Sequence, residues 1–354
     1  MEAPKIPPRV AIVGAGSWGT ALAAHCARQG LSVTIWARKP EVAEQINNEH
    51  ENRAFLPDLK LPGAIHAVSD LKTALEGQAV VLVVVPSHVM REMAGKMAPH
   101  LVSGAAVISA SKGIEDETSA SMVQILEDEL PSSLGISIGA ISGPSFAREV
   151  AEGLPTAVTL ALRSHPLAQS LQVMLSSPTF RIYTSPDLIG VELGGALKNV
   201  YAIATGICDG FRLGFNARAA MLTRALGEMT RMAVAMGANP MTLTGLSGMG
   251  DLILTATGEL SRNRRVGLRL GGGEKLDDIL AGSREVAEGI RNARSVRNMA
   301  LRYNVDMPMA REVYRVLYEN KEPRQGMVDL LTRKLKDELD PRYQGPYAVS
   351  MDDE

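Results

Sequence analysis

The chain has 354 residues, which at about 150 residues per domain predicts two domains. Hydrophobic residues make up 45% and charged residues 21%, a composition that argues against a long disordered or collagen-like chain. The net charge of −2 provides no global basic field for nucleic acid or an acidic membrane surface.

Two cysteines, Cys26 and Cys208, are far apart and form no C-x-x-C motif, which argues against a disulfide framework or a structural zinc site. The six histidines show no metal-ligand spacing, so no metal is expected. Met1–Pro8 lacks the apolar core of a signal peptide, and the longest apolar run, Ala79–Val85, is too short to cross a bilayer. We therefore expect a cytoplasmic protein without membrane insertion.

Short β-branched runs alternate with segments of helical spacing through the first half of the chain. Most of these runs are continuously apolar, as is typical of strands buried on both faces. Thr20–Gln29 and Ser119–Leu130 are predicted helices between them. The alternation predicts an α/β fold with a Rossmann-like, doubly wound parallel sheet. The predicted strands are Arg9–Val13, Ser32–Trp36, Ile65–Val68, Ala79–Val85, Ala106–Ser109, Ile136–Ile141, Thr156–Ala161 and Phe180–Thr184.

After Pro186 the pattern becomes helical throughout. We predict a dinucleotide-binding domain over residues 1–188, an all-helical substrate and catalytic domain over 189–340, and a frayed tail over 341–354. The predicted helices of the second domain are Ile189–Cys208, Ala217–Gly237, Val286–Tyr303 and Ala310–Glu319.

A G-x-G-x-x-G motif follows the first strand and opens the first helix. Gly14 permits the tight turn, Gly16 lets the backbone approach a pyrophosphate, and Gly19 allows close packing of helix on strand. The alternative is a glycine-rich turn that binds nothing. The strand before the motif and the helix after it favour dinucleotide binding.

The end of the second strand carries Arg38 and Lys39 where NAD-binding chains place an acid for the ribose hydroxyls. Two bases there suit the 2′-phosphate of NADP(H), so NADP(H) is favoured over NAD(H). Alternatively, both are solvated loop charges.

Lys198 lies in an apolar helix whose only other charge is Glu192. Burial disfavours the ammonium form and lowers the pKa of a lysine, as a general base near neutral pH requires. The alternatives are that Lys198 reaches solvent or pairs with Glu192. Asp251, in a glycine-rich turn, can accept from a substrate hydroxyl, hold Lys198, or cap the next helix.

The run Ser261-Arg262-Asn263 combines a helix N-cap, a guanidinium and an amide, which together suit a phosphate. Arg264 and Arg265 are interpreted as an exposed basic face. Lys112 follows one predicted strand, and Gly143, Ser145 and Ala147 follow the next, at the edge where open α/β sheets bind ligands.

Seven sequence blocks together resemble bacterial NAD(P)-dependent glycerol-3-phosphate dehydrogenases, over residues 9 to about 320. The resemblance implies reversible oxidation of sn-glycerol 3-phosphate to dihydroxyacetone phosphate, which supplies the phospholipid backbone in bacteria. The blocks are GAGSWGTALA (Gly14–Ala23), SKGI (Ser111–Ile114), SGPSFA (Ser142–Ala147), GALKNV (Gly195–Val200), GMGDL (Gly248–Leu252), LSRNR (Leu260–Arg264) and VAEG (Val286–Gly289).

The resemblance also implies roles for individual residues. Lys198 becomes the catalytic residue that accepts the proton of the secondary hydroxyl. The implied substrate-binding residues are Lys112, Gly143, Ser145, Lys198, Asp251, Ser261, Arg262 and Asn263. The implied cofactor-binding residues are Gly14, Gly16, Ser17, Trp18, Gly19, Arg38, Lys39, Phe55, Lys112, Ala147, Arg262, Val286 and Glu288.

Two other functions fit part of the pattern. A dehydrogenase acting on a 3-hydroxy acid would share the glycine motif and the lysine but would not need the Ser261-Arg262-Asn263 run. A non-catalytic NADP-binding sensor would not need Lys198 and Asp251. The expected partners are small-molecule substrates and no nucleic acid, and a homodimer is left open.

Overall fold

The structure is a computed structural model that describes residues 9–282, 287–335 and 337–338. Within these residues the chain forms eight strands, followed by a region composed of helices. The strands are β1 (Arg9–Val13), β2 (Ser32–Trp36), β3 (Ile65–Val68), β4 (Val80–Val83), β5 (Ala106–Ser109), β6 (Ser137–Ser142), β7 (Thr156–Leu162) and β8 (Phe180–Ser185).

The α-helices are numbered in chain order. Those in the sheet region are α1 (Ser17–Arg28), α2 (Pro40–Glu49), α3 (Leu71–Leu75), α4 (Met90–Met97), α5 (Met122–Glu129), α6 (Ala147–Glu152) and α7 (His165–Leu175). Those that follow are α8 (Leu188–Gly210), α9 (Gly214–Ala235), α10 (Pro240–Leu243), α11 (Asp251–Thr257), α12 (Arg262–Gly271), α13 (Leu276–Ala281), α14 (Glu288–Arg302), α15 (Pro308–Tyr318) and α16 (Pro323–Leu331). Shorter 3₁₀ turns cover Ser87–Val89, Ala98–His100 and Ser132–Leu134, and a π-helical turn covers Leu246–Gly250.

The strands form one sheet in the order β3-β2-β1-β4-β5-β6-β7-β8. Strands β1 to β6 are parallel, and the order reverses between β1 and β4, as in a doubly wound fold. The predicted fold class is thus confirmed, and the predicted strand bounds differ from those observed by no more than two residues. One feature differs from the prediction of a parallel sheet, because β7 is antiparallel to β6 and β8 continues parallel to β7.

The sheet is covered on both faces, which explains its continuous apolar runs. Along β1, Ile12 packs into one core with Ile35 and Leu82, whereas the next residue, Val13, packs into the opposite core with Val81. Neighbouring residues of a strand point to opposite faces, so each strand needs apolar side chains on both.

Helix α8 is the centre of the helical region and is buried along almost its whole length. It crosses α12 with the two backbones in contact. A Cβ added to Gly206 would lie 2.2 Å from the carbonyl oxygen of Arg264, and one added to Gly267 would lie 2.0 Å from that of Ile203. Only glycine fits at this crossing, which holds α12 against the C-terminal part of α8.

Candidate active site

The glycine-rich turn between β1 and α1 combines two tightly packed glycines with one that faces open space. Gly14 has φ +122°, and a Cβ added there would lie 2.3 Å from the carbonyl oxygen of Val84. A Cβ on Gly19 would lie 1.9 Å from the carbonyl oxygen of Gly14, whereas a Cβ on Gly16 would meet no atom within 4 Å. Gly14 and Gly19 therefore serve packing, and the backbone at Gly16 is open to a ligand.

Helix α1 begins at Ser17, directly after this turn, and Gly16 at its N-cap provides no side-chain hydrogen bond to the first NH groups. Free NH groups and the positive end of the helix dipole suit a phosphate. Trp18 packs against the core of the sheet. The turn and the start of α1 thus fit the pyrophosphate of a dinucleotide.

A cavity of about 440 Å³ opens beside the start of α1. Ser17 and Phe55 line one side of it, and Arg262 lines it from the first turn of α12. The Ser17 hydroxyl donates to the Phe55 carbonyl oxygen at 2.7 Å, and buried Asn52 donates to the Ala15 carbonyl oxygen at 2.9 Å. These bonds fix the Phe55 loop against the glycine turn. The sequence analysis did not identify Asn52.

Arg38 and Lys39 lie exposed just beyond β2, which is hydrogen-bonded to the glycine turn through the Gly14 NH and the Trp36 carbonyl oxygen at 3.1 Å. Neither charged group has a hydrogen bond or ion pair with another described residue. Two exposed positive charges beside the turn can bind an anionic group of a ligand.

The ammonium group of Lys198 lies next to the carboxylate of Asp251, and both side chains are almost completely buried. Lys198 Nζ also donates to the Thr255 hydroxyl at 2.8 Å. The other carboxylate oxygen of Asp251 accepts from Lys112 Nζ at 2.7 Å. One buried carboxylate is therefore shared by two lysines, one from the sheet edge and one from helix α8.

The position of Asp251 depends on a π-helical turn of the backbone. It is the first residue of α11, directly after the π-helical turn Leu246–Gly250. A Cβ added to Gly194 of α8 would lie 2.3 Å from the carbonyl oxygen of Ser247, so this turn and α8 touch backbone to backbone. π-Helical turns are frequent at functional sites. Of the roles considered for Asp251, holding Lys198 is the one observed.

Burial is the main reason that the pKa of Lys198 is lowered to about 8. The negative charge of Asp251 opposes this change, and the positive charge of Lys112 adds to it. Lys198 can therefore exist as ammonium or amine near neutral pH, which general acid–base chemistry needs.

Glu192 does not pair with Lys198, which excludes one alternative. Its carboxylate accepts from the Ser121 hydroxyl at 2.7 Å and the Val123 NH at 2.8 Å, at the start of α5. Burial raises the pKa of Glu192 to about 7. The second alternative, a lysine reaching solvent, is also excluded, because Lys198 is 6% exposed.

The segment after β6 provides hydrogen-bond acceptors for the ammonium group of Lys112. Its ammonium group donates to the Gly143 carbonyl oxygen at 2.9 Å and lies 3.4 Å from the Ser145 hydroxyl oxygen. Gly143 has φ +144°, and a Cβ there would lie 2.9 Å from Cα of Val158. Ala147 begins α6 two residues after Ser145. The structure thus brings three predicted site residues, Lys112, Gly143 and Ser145, into contact.

At the start of α12, the side chains of Ser261 and Asn263 form hydrogen bonds within the protein. The Ser261 hydroxyl caps the helix by accepting from the Arg264 NH at 3.2 Å. Asn263 donates to the Asn199 side-chain oxygen and accepts from the Gly289 NH, both at 2.9 Å. Asn263 therefore links α12 to α8, next to Lys198, and to the first turn of α14.

The interpretation of Arg264 as part of an exposed basic face was wrong. Its Nε and Nη2 donate to the carboxylate of Asp209 at 3.0 and 2.7 Å, and its side chain is 16% exposed. The glycine contacts between α8 and α12 bring Asp209 within reach, and no helical periodicity reveals such a contact. Arg265 is exposed, as predicted.

Glu288, a predicted cofactor residue, is the first residue of α14. Val286 lies outside the described residues. Burial raises the pKa of the Glu288 carboxyl, and the positive charges of Arg262, Lys198 and Lys112 oppose the rise. Glu288 is thus electrostatically coupled to the lysine pair.

Thr255 is the site residue that the sequence analysis missed most clearly. It lies four residues after Asp251, on the same face of α11, and its hydroxyl binds Lys198. The sequence does place Thr255 four residues after Asp251, on the same side of a helix. A threonine in an apolar helix is not by itself evidence of a functional role, however.

Among the described residues no group of three or more His, Cys, Asp and Glu is placed to hold a metal ion. Cys26 and Cys208 are buried free thiols. Within the same residues no helix has the length and apolar character needed to cross a membrane.

A glycine-rich turn at the switch point of the sheet, together with a buried lysine of lowered pKa, defines the class as nicotinamide-dependent dehydrogenases. Two family models match, the N-terminus of NAD-dependent glycerol-3-phosphate dehydrogenase over residues 9–168 and its C-terminus over 187–328. The chain belongs to this family, as the resemblance in the sequence implied.

Individual relatives and a solved structure agree with this family assignment. An NAD(P)+ glycerol-3-phosphate dehydrogenase of Syntrophobacter fumaroxidans is 48% identical over 331 residues, covering 94% of this chain and 97% of that protein. One of Myxococcus xanthus is 48% identical over 331 residues, covering 94% and 99%. The crystal structure of glycerol-3-phosphate dehydrogenase from Coxiella burnetii superposes with a TM-score of 0.87 at 40% identity, covering 93% of this chain and all of that one.

Proposed function

We propose that this chain interconverts sn-glycerol 3-phosphate and dihydroxyacetone phosphate with NAD(P)(H), and so supplies glycerol 3-phosphate for phospholipid synthesis. The observation that carries the proposal is Lys198, buried, of lowered pKa, and held by Asp251 and Thr255 close to Lys112. The relatives' names supply the substrate, and these residues supply a mechanism.

Lys198 is the proton donor and acceptor. Two of the three ammonium protons are engaged by Asp251 and Thr255, and the third has no partner among the described residues. In reduction, Lys198 gives this proton to the carbonyl oxygen as the carbonyl carbon receives hydride, which yields the secondary alcohol. In oxidation, the amine form of Lys198 takes the hydroxyl proton while hydride leaves the carbon.

Lys112 and Asp251 support this step electrostatically. The charge on the substrate oxygen grows during reduction, and fixed cations close to it stabilise that charge. Asp251 orients both lysines, because each of its oxygens accepts from one of them.

The substrate phosphate lies at the start of α12, with Arg262 as its main charged ligand. Ser261 and Asn263 shape this end of the site through the bonds that fix α12 and α14. The remaining proposed substrate ligands, Lys112, Gly143 and Ser145, form the sheet side of the same site.

The backbone at Gly16 and Ser17 would hold the pyrophosphate of the dinucleotide at the glycine turn. When bound, the nicotinamide supplies hydride for reduction and accepts it in oxidation. NADP(H) is favoured, since Arg38 and Lys39 face solvent without protein partners. The other proposed cofactor residues are Gly14, Trp18, Gly19, Phe55, Lys112, Ala147, Arg262, Val286 and Glu288.

We also propose that residues 1–188 and 189–340 act as cofactor and substrate domains of a cytoplasmic enzyme, with a homodimer left open. The direct test is NADPH oxidation with dihydroxyacetone phosphate, unphosphorylated dihydroxyacetone and a panel of keto acids. We expect efficient turnover of the phosphorylated ketone alone. Equal efficiency with dihydroxyacetone would contradict the phosphate-specific site, and a preference for a keto acid would favour a different dehydrogenase.

A further inference from the structure

One face of helix α12 presents three arginines to the cavity beside the glycine turn. Arg262, Arg265 and Arg269 follow each other at spacings of three and four residues, so they share this face. Ser17 and Phe55 line the cavity from the sheet side. None of the described residues that line it is acidic, so the cavity suits a ligand with several negative charges.

The arginines of α12 differ in their partners. Arg264 is bonded to Asp209, and Arg269 donates from Nε and Nη2 to one carboxylate oxygen of Glu274, at 2.9 and 2.5 Å. The side chain of Arg265 is exposed and has no ion pair or hydrogen bond with another described residue. Its guanidinium is therefore uncompensated and available to a ligand in the cavity.

We propose that Arg265 is a further cofactor-binding residue, whose guanidinium binds the pyrophosphate of the dinucleotide from the helical side. This inference rests on the proposed function. A planar guanidinium can bind phosphate oxygens in a bidentate manner. The pyrophosphate is the group concerned because Ser17, which lines the same cavity, begins α1 where the dipole and free NH groups receive it.

The 2′-phosphate of NADP(H) is a different subsite. Arg38 and Lys39, at the end of β2, are the bases proposed for it, and neither lines this cavity. Substitutions at the two subsites should therefore have different effects on the affinities for NADPH and NADH. Loss of Arg265 weakens NADPH and NADH equally, whereas loss of Arg38 weakens NADPH alone.

The test measures the dissociation constants of NADPH and NADH for the full chain and its Arg265→Gln and Arg38→Gln variants, by titration of nucleotide fluorescence without substrate. For Arg265→Gln we expect both constants to rise about tenfold, the effect of losing one charge-assisted contact. The rise should shrink at high ionic strength, because salt screens exposed charges. Arg265→Lys should recover part of the affinity.

Lys275→Gln is the matched control. Lys275 is an exposed cation near α12, has no ion pair or hydrogen-bonded side-chain partner among the described residues, and does not line the cavity. Its loss should leave both constants unchanged, and melting temperatures should show that all variants are folded. Unchanged affinity in Arg265→Gln would overturn the inference, as would a rise confined to NADPH. If the unsubstituted chain bound neither dinucleotide, the proposed function would fail and the inference with it.

Discussion

Replacing Asp251 by asparagine tests the acid–base assignment, because it changes charge while keeping shape. The carboxylate accepts from Lys198 and Lys112 on opposite oxygens and is fully buried. Asparagine has nearly the same volume and retains one oxygen, so the packing should survive. The substitution leaves the buried ammonium group of Lys198 and the partly buried one of Lys112 without the negative charge between them.

The expected effect is a lower pKa for Lys198. In the unsubstituted chain that pKa is about 8, lowered by burial and Lys112 and raised by Asp251. An adjacent opposite charge typically changes a pKa by about one to three pH units. Removing Asp251 should therefore lower the pKa of Lys198 by about that amount, bringing it to about neutrality or below.

The assay is the pH dependence of kcat in both directions with saturating cofactor. Reduction uses the ammonium form, so its rate falls as pH rises through the pKa, and in the variant this fall should move to lower pH. Oxidation uses the amine form, so its rise with pH should move to lower pH as well. Asp128→Asn is the control, because this carboxylate is largely exposed, on helix α5. Profiles of Asp251→Asn that stay in place or move to higher pH would refute the assignment.

Three further substitutions have defined outcomes, and a fourth, Gly227→Ala, is the control for the third. Lys198→Met should lower single-turnover hydride transfer at least about 100-fold and leave NADPH affinity and melting temperature near those of the unsubstituted chain; retained hydride transfer would contradict its catalytic role. Arg38→Asp should shift the ratio of kcat/KM toward NADH, and an unchanged ratio would exclude Arg38 as the selector. Gly206→Ala should lower the free energy of unfolding by about 1–3 kcal/mol, measured with denaturant, because its Cβ would meet the Arg264 carbonyl oxygen. Gly227→Ala in α9, whose Cβ would meet only Arg231 Nη1 at 3.6 Å, should not destabilise.

The strands could be predicted because each one is a short apolar run that ends in a polar or glycine-rich turn. Strand direction could not, since an apolar run in β7 reads the same in either orientation and only the pairing with β6 defines it. Helix starts were less accurate than strands. The helix predicted from Ser119 begins at Met122, because the Ser121 hydroxyl and the Gln124 side chain form a capping box.

The site could be predicted where a residue contrasts with its neighbours. Glycines at fixed spacing and a single lysine in an apolar helix are such contrasts, and they form the turn between β1 and α1 and a buried position of α8. Contacts between distant segments have no such signal. Lys112 and Asp251 are 139 positions apart, and the bond between Arg264 and Asp209 depends on a crossing of glycines in two helices.

The electrostatic environment of Lys198 comes from both the helical region and the sheet edge. Lys198 and Asp251 belong to the helical region, but Lys112, whose charge also lowers the pKa of Lys198, is fixed at the sheet edge by the Gly143 carbonyl oxygen and the Ser145 hydroxyl. Because Lys112 reaches Asp251 at 2.7 Å, any change in the spacing of sheet and helices alters the charge beside Lys198. The pKa of this lysine therefore depends on how the sheet edge and α8 are assembled, and acid–base competence should be complete only when the two are packed together.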